Sequence, residues 1–482
     1  MCELDLPLKF AQKLYQEFSV RHPNAFYLRT RQRGMQNWDG KIHYINKHGE
    51  FKIGLLPAVY EKCTEYGIKP KVVDMRQPLP KVSKVVTKIG EYKLRPEQEK
   101  AVKAVINNKV GKVPFQIGIL DYTVNAGKTL IMSSLYLSYK KQLKTLLITN
   151  DSDWLNQARD EFKKYLPGEQ ITFVQGKVLN WSNFTIGMVQ SISRNMRFYQ
   201  NELSKVDMVL VDEADQAGSK QYQNVLTRLF NTRVRIGLSG TIYMSKLAKD
   251  KVKNTNLEVF FGKVLAEFKL KDSIKKGYST RTIVKMVPSK PWYGNWESEE
   301  VSYKEVYDDS ITFNKYARKM VYARLKWNIK QGRYPALVVC KFIAHCEKLC
   351  KYFKKKLGSK YNIACVHVDT PSKIRQQIMK DFREGKIDIL VSTTIIARGK
   401  NFPKLRYLLN AASMDSQEKS IQFLGRLVRT DSSKKKVYLD DLHYPGPYLN
   451  RHGKHRKQYY QKQELKVILL EKIWKNHPIH SL

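Results

Sequence analysis

The stretch Tyr122-Thr123-Val124-Asn125-Ala126-Gly127-Lys128-Thr129 has most of the pattern of a phosphate-binding loop. In such a loop, backbone N–H groups surround a phosphate, the lysine ammonium contacts the β and γ oxygens, and the hydroxyl binds Mg²⁺. The full pattern begins with a glycine, and this chain has Tyr122 at that position. Taken alone, the stretch is therefore also compatible with an ordinary connection between a strand and a helix.

A second stretch, Met208-Val209-Leu210-Val211-Asp212-Glu213-Ala214-Asp215, favours the first interpretation. Its apolar, β-branched start is typical of a buried parallel strand, and open α/β sheets bind ligands at the carboxyl ends of such strands. There, Asp212 could hold a metal ion while Glu213 orients a water molecule. Because buried carboxylates need partners, two such acids are unusual in a purely structural strand. The two stretches together favour nucleotide hydrolysis.

Length and composition indicate a multidomain globular protein. The chain has 482 residues, which is enough for roughly two to four domains. It is 42% hydrophobic and 27% charged, and no apolar run approaches the ~18 residues of a membrane span. The N-terminus lacks the layout of a signal peptide, and the six cysteines form no Cys-x-x-Cys pair. We therefore expect a protein of the cytoplasm, or of the host cell cytoplasm if it is viral.

The charge balance points to a polyanionic partner. The chain has 87 basic and 44 acidic residues, a formal net charge of +43 at pH 7. A compact chain with this charge repels itself unless a polyanion neutralises it, so nucleic acid is the expected partner. The alternative is a host whose proteins are generally basic. A membrane surface is disfavoured, because the basic residues are spread along the chain and do not form one amphipathic helix.

Residues 1–90 are predicted to form a small N-terminal α+β domain that binds nucleic acid. Residues 40–45 and 51–55 alternate apolar and polar side chains around a turn-forming stretch, which predicts a hairpin. Cations mixed with aromatic residues suit contact with phosphates and bases. The candidates are Arg29, Arg31, Arg33 and Trp38. A solvated basic face, with Trp38 filling a small core, is the open alternative.

Residues 91–283 carry both opening stretches and have the pattern of a parallel sheet covered by helices. Strand-like runs alternate with helical stretches, at 145–149, 171–174, 184–189, 208–211 and 234–238. Gln98 opens an amphipathic helix upstream of the phosphate loop, where its amide could read the edge of adenine. Ser239-Gly240-Thr241 follows the last run, so its hydroxyls are expected at the same sheet edge as the two carboxylates.

Residues 284–316 interrupt this pattern with tryptophans, tyrosines and many acidic residues. This connector or insert is either a wedge or inter-domain contact, or a packed segment whose acids keep nucleic acid away. Residues 317–440 then form a second alternating α/β unit without a phosphate loop. The basic C-terminal segment, residues 441–482, is assigned either to nucleic-acid binding or to packing on the second unit.

Two arginines in the second unit are expected to bind an anion. Arg426 and Arg429 are three residues apart on a predicted helix, so both guanidinium groups can reach one phosphate. No acidic residue lies between them in the sequence, and two guanidinium groups on one helix face predict a bound phosphate.

The chain resembles the superfamily 2 helicases in six motifs that occur in the family's order between residues 94 and 430. The motifs are Gln98, Asn125 to Thr129, Asp212 to Asp215, Ser239 to Thr241, Thr393 to Asn401 and Gln422 to Arg429. Two N-terminal segments are also similar to the leading domain of phage branch-migration helicases of the UvsW type. These are Trp38-Asp39-Gly40-Lys41 and Gly54-Leu55-Leu56-Pro57.

The resemblance implies an α/β fold with two RecA-like parallel-sheet lobes, residues 91–283 and 317–440, and with ATP and Mg²⁺ between them. It implies ATP binding by Gln98, Asn125, Ala126, Gly127, Lys128 and Thr129, with Mg²⁺ on Thr129 and Asp212. Glu213 would orient the attacking water, and Arg426 and Arg429 would stabilise the transition state. The implied coupling residues are Asp215, Ser239, Thr241 and Gln422. The implied strand contacts are Thr149, Asn150, Gln190, Thr393 and Arg398.

Departures from the RNA-directed DEAD-box helicases favour DNA as the substrate. The chain has Gln422 in place of their histidine, Gly240 in place of alanine, and Asn401 in place of aspartate. Asn125 also replaces a glycine of the phosphate loop.

We therefore expect an ATP-dependent DNA helicase or translocase that acts on branched DNA in replication, recombination or repair, as in a bacteriophage. The alternatives are an RNA helicase and a duplex translocase that does not separate strands. The expected partners are branched or forked DNA, RNA–DNA hybrids, and other replication or recombination proteins. A non-catalytic nucleic-acid-binding protein is disfavoured, because the residues of the ATP site are all present.

Overall fold

A computed structural model provides the three-dimensional structure of the chain. It describes all residues except 1, 4, 6, 32–33, 151, 179–180, 241, 243–247, 290–300, 398–401, 416–419, 421–422, 426, 431–433 and 471–482. The chain divides into two compact units, residues 1–269 and residues 270–482. No helix in the described part is long and apolar enough to cross a membrane.

The first unit contains ten described helices and thirteen described strands. The helices are α1 Leu8–Glu17, α2 Ala25–Arg31, α3 Leu56–Glu65, α4 Pro96–Ile106, α5 Lys128–Ser138, α6 Ser152–Tyr165, α7 Val189–Arg194, α8 Met196–Ser204, α9 Lys220–Leu226 and α10 Ala248–Phe261. The strands are β1 Ser19–Arg21, β2 Lys41–His43, β3 Lys88–Ile89, β4 Tyr92–Lys93, β5 Lys109–Val110, β6 Val113–Pro114, β7 Ile117–Tyr122, β8 Thr145–Thr149, β9 Ile171–Val174, β10 Phe184–Met188, β11 Met208–Asp212, β12 Val234–Ser239 and β13 Val264–Phe268.

Seven of these strands form one parallel sheet in the order β13-β7-β12-β11-β8-β10-β9. Strands β7, β8, β10, β11 and β12 are buried along their whole length. Helices cover both faces of such a sheet, so its strands are apolar runs without alternation, which is why the sequence predicts them. The predicted alternation of strands and helices in this part of the chain is confirmed.

The N-terminal segment, residues 1–90, does not separate from the first unit. Its residues Leu14, Phe51 and Val59 belong to the same apolar cluster as Val209 in the parallel sheet. A Cβ atom added to Gly54 would lie 2.2 Å from the carbonyl oxygen of Glu258 in α10, so only glycine allows this approach. The segment is therefore docked on the sheet unit through close backbone packing.

The predicted N-terminal hairpin forms only in part. Strand β2 pairs antiparallel with β1, and residues 53–55 form a 3-10 helix where a second hairpin strand was expected. Only an isolated bridge joins Ile45 and Phe51 across the predicted turn. The alternating pattern is satisfied by partners that lie upstream in the chain, and a local reading of the sequence does not identify them.

The second unit contains six described helices and seven strands. The helices are α11 Leu270–Lys275, α12 Tyr303–Tyr307, α13 Lys315–Lys330, α14 Ile343–Leu357, α15 Ser372–Glu384 and α16 Leu449–Lys462. The strands are β14 Arg281–Pro288, β15 Ala336–Cys340, β16 Ile363–Val366, β17 Ile389–Thr393, β18 Tyr407–Asn410, β19 Lys436–His443 and β20 Lys466–Leu469. Cys346 and Cys350 of α14 are buried in its core.

The seven strands form a second parallel sheet in the order β16-β17-β15-β18-β19-β14-β20. The predicted α/β class with two parallel sheets is thereby confirmed. Strand β14 lies between β19 and β20, so the start of the unit pairs with its end. The connector predicted at 284–316 begins inside β14, and its Val306, Tyr307 and Ile311 are buried in the core of this unit.

The basic C-terminal segment packs on the second unit as far as Leu469. Arg456 of α16 and Asp441 of β19 are both fully buried. Arg456 Nη2 donates to Asp441 Oδ1 at 2.8 Å, and Tyr460 and Asn410 donate to Asp441 Oδ2 at 2.7 and 2.8 Å. Of the two alternatives for this segment, the structure supports packing for α16 and β20.

We expect Arg456→Ala to destabilise the protein by ~3–5 kcal/mol, because it leaves the Asp441 carboxylate buried without its cation. Chemical denaturation of the full chain measures this loss. Lys454→Ala is the matched control, since Lys454 lies on the same helix, is exposed and loses the same charge. The control should change the free energy of unfolding by less than ~0.5 kcal/mol. Equal effects of the two substitutions would contradict the role of the buried pair.

Candidate functional site

Five neighbouring strands of the first sheet bring the predicted site residues to one edge. In spatial order, β7 leads into the phosphate loop, β12 ends at Ser239, β11 ends at Asp212, β8 ends at Thr149, and β10 is followed by Gln190. Because all five strands are parallel, their carboxyl ends lie on the same side of the sheet. The phosphate loop, the acidic residues and two predicted nucleic-acid contacts, Thr149 and Gln190, therefore lie at the same edge of the sheet.

The phosphate loop turns through two left-handed residues. Asn125 has φ 65° and Gly127 has φ 72°. Asparagine tolerates this conformation better than other residues with a side chain, which explains how Asn125 can replace the usual glycine. At Gly127 a Cβ atom would lie 2.3 Å from Nε2 of Gln98, so the backbone there must remain bare. Helix α5 begins immediately after this turn, at Lys128.

Tyr122 and Gln98 connect the phosphate loop to helix α4 through hydrogen bonds. Tyr122 is fully buried, and its hydroxyl donates to the carbonyl oxygen of Glu97 at 2.6 Å. Gln98 is also buried; its Nε2 donates to the carbonyl oxygen of Ala126 at 2.8 Å, and its Oε1 accepts from the N–H of Arg95 at 2.9 Å. Tyr122 thus ties the loop to α4, where the usual pattern has glycine. In this structure both ends of the Gln98 amide are occupied by backbone, and contact with adenine stays a prediction.

Lys128 is held by the acidic stretch at the end of β11. Its Nζ lies 3.1 Å from Oδ1 of Asp212, a carboxylate that is 5% exposed. Burial works against the charged form of Lys128, yet the carboxylates of Asp212, Glu213 and Asp215 raise its pKa above the usual value. The ammonium therefore stays charged near neutral pH. Glu213 follows with φ 54°, a conformation that a non-glycine residue adopts at a cost of ~1–3 kcal/mol.

The residues at this edge fit a magnesium nucleotide. Mg²⁺ prefers oxygen ligands and is usually held by one or two carboxylates together with substrate phosphates. Here the candidates are the carboxylate of Asp212, which is buried and faces a lysine, and the hydroxyl of Thr129 on the first turn of α5. Among the described residues no group of three or more His, Cys, Asp or Glu side chains could hold a metal. One carboxylate and one hydroxyl suit a metal that arrives with phosphates.

Asp215 and Ser239 form a buried contact between β11 and β12. Ser239 Oγ donates to Asp215 Oδ1 at 2.7 Å, and the two residues are 2% and 6% exposed respectively. Burial raises the pKa of Asp215, and the hydrogen bond from Ser239 opposes that shift. The contact fixes the turn that follows Glu213 to the neighbouring strand.

Several predicted residues lie elsewhere or outside the described residues. Arg29 and Arg31 are exposed on α2, and Trp38 is half-buried with its Nε1 donating to the carbonyl oxygen of Lys41 at 2.9 Å. Thr393 ends β17 of the second unit, and Arg429 is half-buried in the same unit. The predicted residues outside the described part are Arg33, Thr241, Arg398, Gln422 and Arg426.

Sequence reasoning missed Gln216. This residue closes the short 3-10 turn Ala214–Gln216, and its Nε2 donates to Oε2 of Glu213 at 3.3 Å. Its Oε1 accepts from Nδ2 of Asn150. The one signal available in the sequence was its place directly after Asp212-Glu213-Ala214-Asp215.

Two family models match the chain. Residues 91–244 match the model described as type III restriction enzyme, res subunit, and residues 318–431 match the helicase conserved C-terminal domain. A protein of Sulfolobus islandicus filamentous virus, named as a helicase, is 22% identical over 74% of this chain. The match spans 65% of that viral protein. Matches to three ATP-dependent RNA helicases span 13% to 38% of their lengths.

Two of the similar solved structures, with TM-scores above 0.5, share the fold of this chain. The restriction-modification enzyme LlaBIII bound to DNA aligns with 80% of this chain and 32% of its own, at 14% identity and a TM-score of 0.57. Mss116p bound to single-stranded RNA and AMP-PNP aligns with 82% of this chain and 81% of its own, at 15% identity and a TM-score of 0.55. T4 UvsW aligns over 97% of this chain and 96% of its own, at 19% identity and a TM-score of 0.44.

The two matched regions fall on the two α/β units, and the first of them contains the phosphate loop and the acidic residues described above. The predicted resemblance to the superfamily 2 helicases is confirmed, since the chain is similar to helicase-type proteins in both of its parallel-sheet units.

Proposed function

We propose that this chain is an ATP-dependent DNA helicase or translocase that acts on branched DNA. The observation that carries the catalytic part is the 3.1 Å ion pair between Lys128 and Asp212 beside a left-handed loop that can surround a phosphate. A half-buried lysine whose charge is favoured by carboxylates is suited to a phosphate oxygen, because the phosphate can bind the same ammonium group. Structural ion pairs have no need of such a loop.

The residues of the first unit divide the proposed reaction among them. Lys128 and the loop N–H groups bind the phosphates, while Thr129 and Asp212 hold Mg²⁺. When bound, this ion neutralises charge on the phosphate oxygens. Glu213 accepts a hydrogen bond from the attacking water and orients it toward the γ-phosphorus. From the second unit, Arg426 and Arg429 stabilise the charge that develops on the transferred group, a role that is worth ~10³ to 10⁵ in rate in related enzymes.

Asp215 and Ser239 are proposed to report the state of this site to the rest of the unit, together with Thr241 and Gln422. Their 2.7 Å hydrogen bond joins the turn after Glu213 to β12. A displacement at the end of β11 therefore changes the position of the end of β12, and the reverse. Strand contacts are assigned to Thr149, Asn150 and Gln190 at the same sheet edge, to Thr393 and Arg398 in the second unit, and to Arg29, Arg31, Arg33 and Trp38.

The net charge of +43 supports a nucleic-acid substrate, and the choice of DNA rests on the sequence departures at Gly240, Asn401 and Gln422. RNA is the second candidate substrate, because the similar structures include proteins bound to either nucleic acid. Branched DNA, RNA–DNA hybrids and recombination proteins are proposed partners on the sequence resemblance alone. Translocation on a duplex without strand separation is compatible with the same ATP site.

Lys128→Ala should lower ATP turnover by roughly 10²-fold or more, since it removes a cation that contacts the transferred phosphate. Binding of a labelled strand, followed by fluorescence anisotropy, should stay close to wild type. Lys220→Ala is the matched control, because Lys220 is an exposed lysine of the same unit. Wild-type turnover in the Lys128 variant would contradict the site assignment.

Affinity for nucleic acid should fall steeply with salt, because Lys and Arg contacts to phosphates release counterions. With ~6 to 10 phosphates neutralised, we expect a loss of ~10³ to 10⁵ between about 50 and 200 mM salt. Titrations of one labelled strand at four salt concentrations measure the slope, and a melting curve at each concentration verifies that the protein stays folded. A flat slope would contradict binding through the backbone phosphates.

The nucleic-acid class is tested by ATP turnover at one fixed low salt concentration. Single-stranded DNA, plain duplex, a branched DNA junction and RNA serve as separate stimulants. We expect the strongest stimulation from the junction, since the proposed substrate is branched. Strongest stimulation by RNA would overturn the assignment to DNA and leave the ATP site standing.

A further inference from the structure

A continuous series of hydrogen bonds joins two predicted nucleic-acid contacts, Gln190 and Asn150, to the carboxylate of Glu213, which is proposed to orient the attacking water. Gln190 Nε2 donates to the backbone oxygen of Asn150 at 3.3 Å. Asn150 Nδ2 donates to Gln216 Oε1, and Gln216 Nε2 donates to Glu213 Oε2 at 3.3 Å. We refer to Gln190, Asn150, Gln216 and Glu213 as the amide relay.

The sheet order makes this series possible. Strand β8 lies between β10 and β11, so Asn150, one residue beyond β8, stands between Gln190 and the acidic turn after β11. The turn is tight, because the N–H of Gln216 donates to the carbonyl oxygen of Glu213 at 3.0 Å. This turn folds Gln216 back onto the side chain of Glu213. The left-handed conformation of Glu213, with φ 54°, starts that turn.

The Gln216 amide has one working orientation. Its oxygen accepts from the Asn150 NH₂ group, and its own NH₂ group donates to a carboxylate. A flipped amide would set NH₂ against NH₂ and oxygen against carboxylate oxygen, losing both bonds. A displacement of Asn150 is therefore transmitted to Glu213 as a loss or a shift of a hydrogen bond, and the amide cannot compensate by turning over.

At the end of the amide relay that is predicted to contact nucleic acid, one hydrogen-bond acceptor lacks a donor among the described residues. Gln190 Oε1 is buried, and no donor among the described residues bonds to it. Its NH₂ group faces a backbone carbonyl oxygen, which fixes the orientation of this amide as well. A base amino group could supply the missing donor, since the bases of DNA and RNA both carry such groups. Binding of a strand therefore has a physical reason to move Gln190 and, through it, Asn150.

We propose that Gln216 is a positioning residue that transmits nucleic-acid binding at Asn150 and Gln190 to Glu213. This inference rests on the proposed function and names a regulatory route within its site. A strand that engages the Asn150 amide competes with Gln216 for that donor. Gln216 then changes its hold on the Glu213 carboxylate, so stimulation of ATP hydrolysis by nucleic acid passes through Gln216.

The test is the ratio of ATP turnover with saturating nucleic acid to turnover without it, using the best stimulant for the wild-type protein. Gln216→Met keeps the length of the side chain and removes both hydrogen bonds. We expect the ratio to fall about tenfold, the effect of one hydrogen bond to a charged group. KM for ATP and Kd for the strand should stay within about twofold of wild type, because Gln216 positions another residue and binds neither ligand.

Gln223→Met is the matched control. Gln223 is a half-buried glutamine of the same unit whose Nε2 donates to the carbonyl oxygen of Gly218 at 2.8 Å, outside the relay. This variant should keep the wild-type ratio. If Gln216→Met fails to fold, Gln216→Glu provides the second test, since it keeps an acceptor for Asn150 and loses the donor to Glu213. It should lose the stimulation in the same way.

The outcomes separate this inference from the function on which it rests. Absence of ATP hydrolysis by the wild-type chain under every condition would overturn the proposed function itself. A stimulated wild type, with an unchanged ratio in the Gln216 variants, would overturn the relay alone. A ratio that falls only in step with strand affinity would also overturn it, because Gln216 would then act in binding. A fall in the ratio at constant Kd and KM supports the relay.

Discussion

The ion pair between Lys128 and Asp212 imposes conditions on the whole first unit. Burial works against the charge of Lys128, and the carboxylates at the end of β11, a strand that is buried along its length, raise the pKa of this lysine above its usual value. Both groups lie at one edge of the first sheet, because its strands are parallel and are joined by crossover connections. The left-handed turns at Asn125 and Gly127 then bring the start of α5 to that edge.

The burial of the parallel sheets on both faces explains which strands can be predicted from the sequence. The strands around the ATP site are short apolar runs because helices cover both faces of the sheet, and such runs are visible in composition alone. Strand β19 is different, since it carries Asp440 and Asp441 at fully buried positions. Asp440 pairs with Arg324, 116 residues away in the sequence, and Asp441 pairs with Arg456, 15 residues away on α16. A polar stretch of this kind looks like a surface segment until the distant cations are known.

In the candidate site, too, some residues can be predicted from the sequence and others cannot. Lys128, Thr129 and Asp212 are predictable because a fixed spacing places each at a strand end or a helix start. The functions of Gln98 and Gln216 depend on which backbone or amide groups lie opposite them, and no spacing encodes that. Gln98, whose amide was expected to contact adenine, is hydrogen-bonded to the backbone of the phosphate loop. The N-terminal hairpin was mispredicted in part for the same reason, since β2 takes β1 as its partner.

The position of β14 has a consequence for how the second unit is made. Strand β14 is the first strand of this sheet in sequence, and it lies between β19 and β20, the last two strands. On the ribosome, β14 emerges with both of its edges unpaired, and its partners follow about 150 residues later. At ~5–20 residues per second, this edge waits for several seconds. Unpaired strand edges favour pairing with other chains. Strand β14 is therefore open to such pairing during synthesis until β19 and β20 have emerged, and completion of the second sheet requires pairing between strands that are distant in sequence.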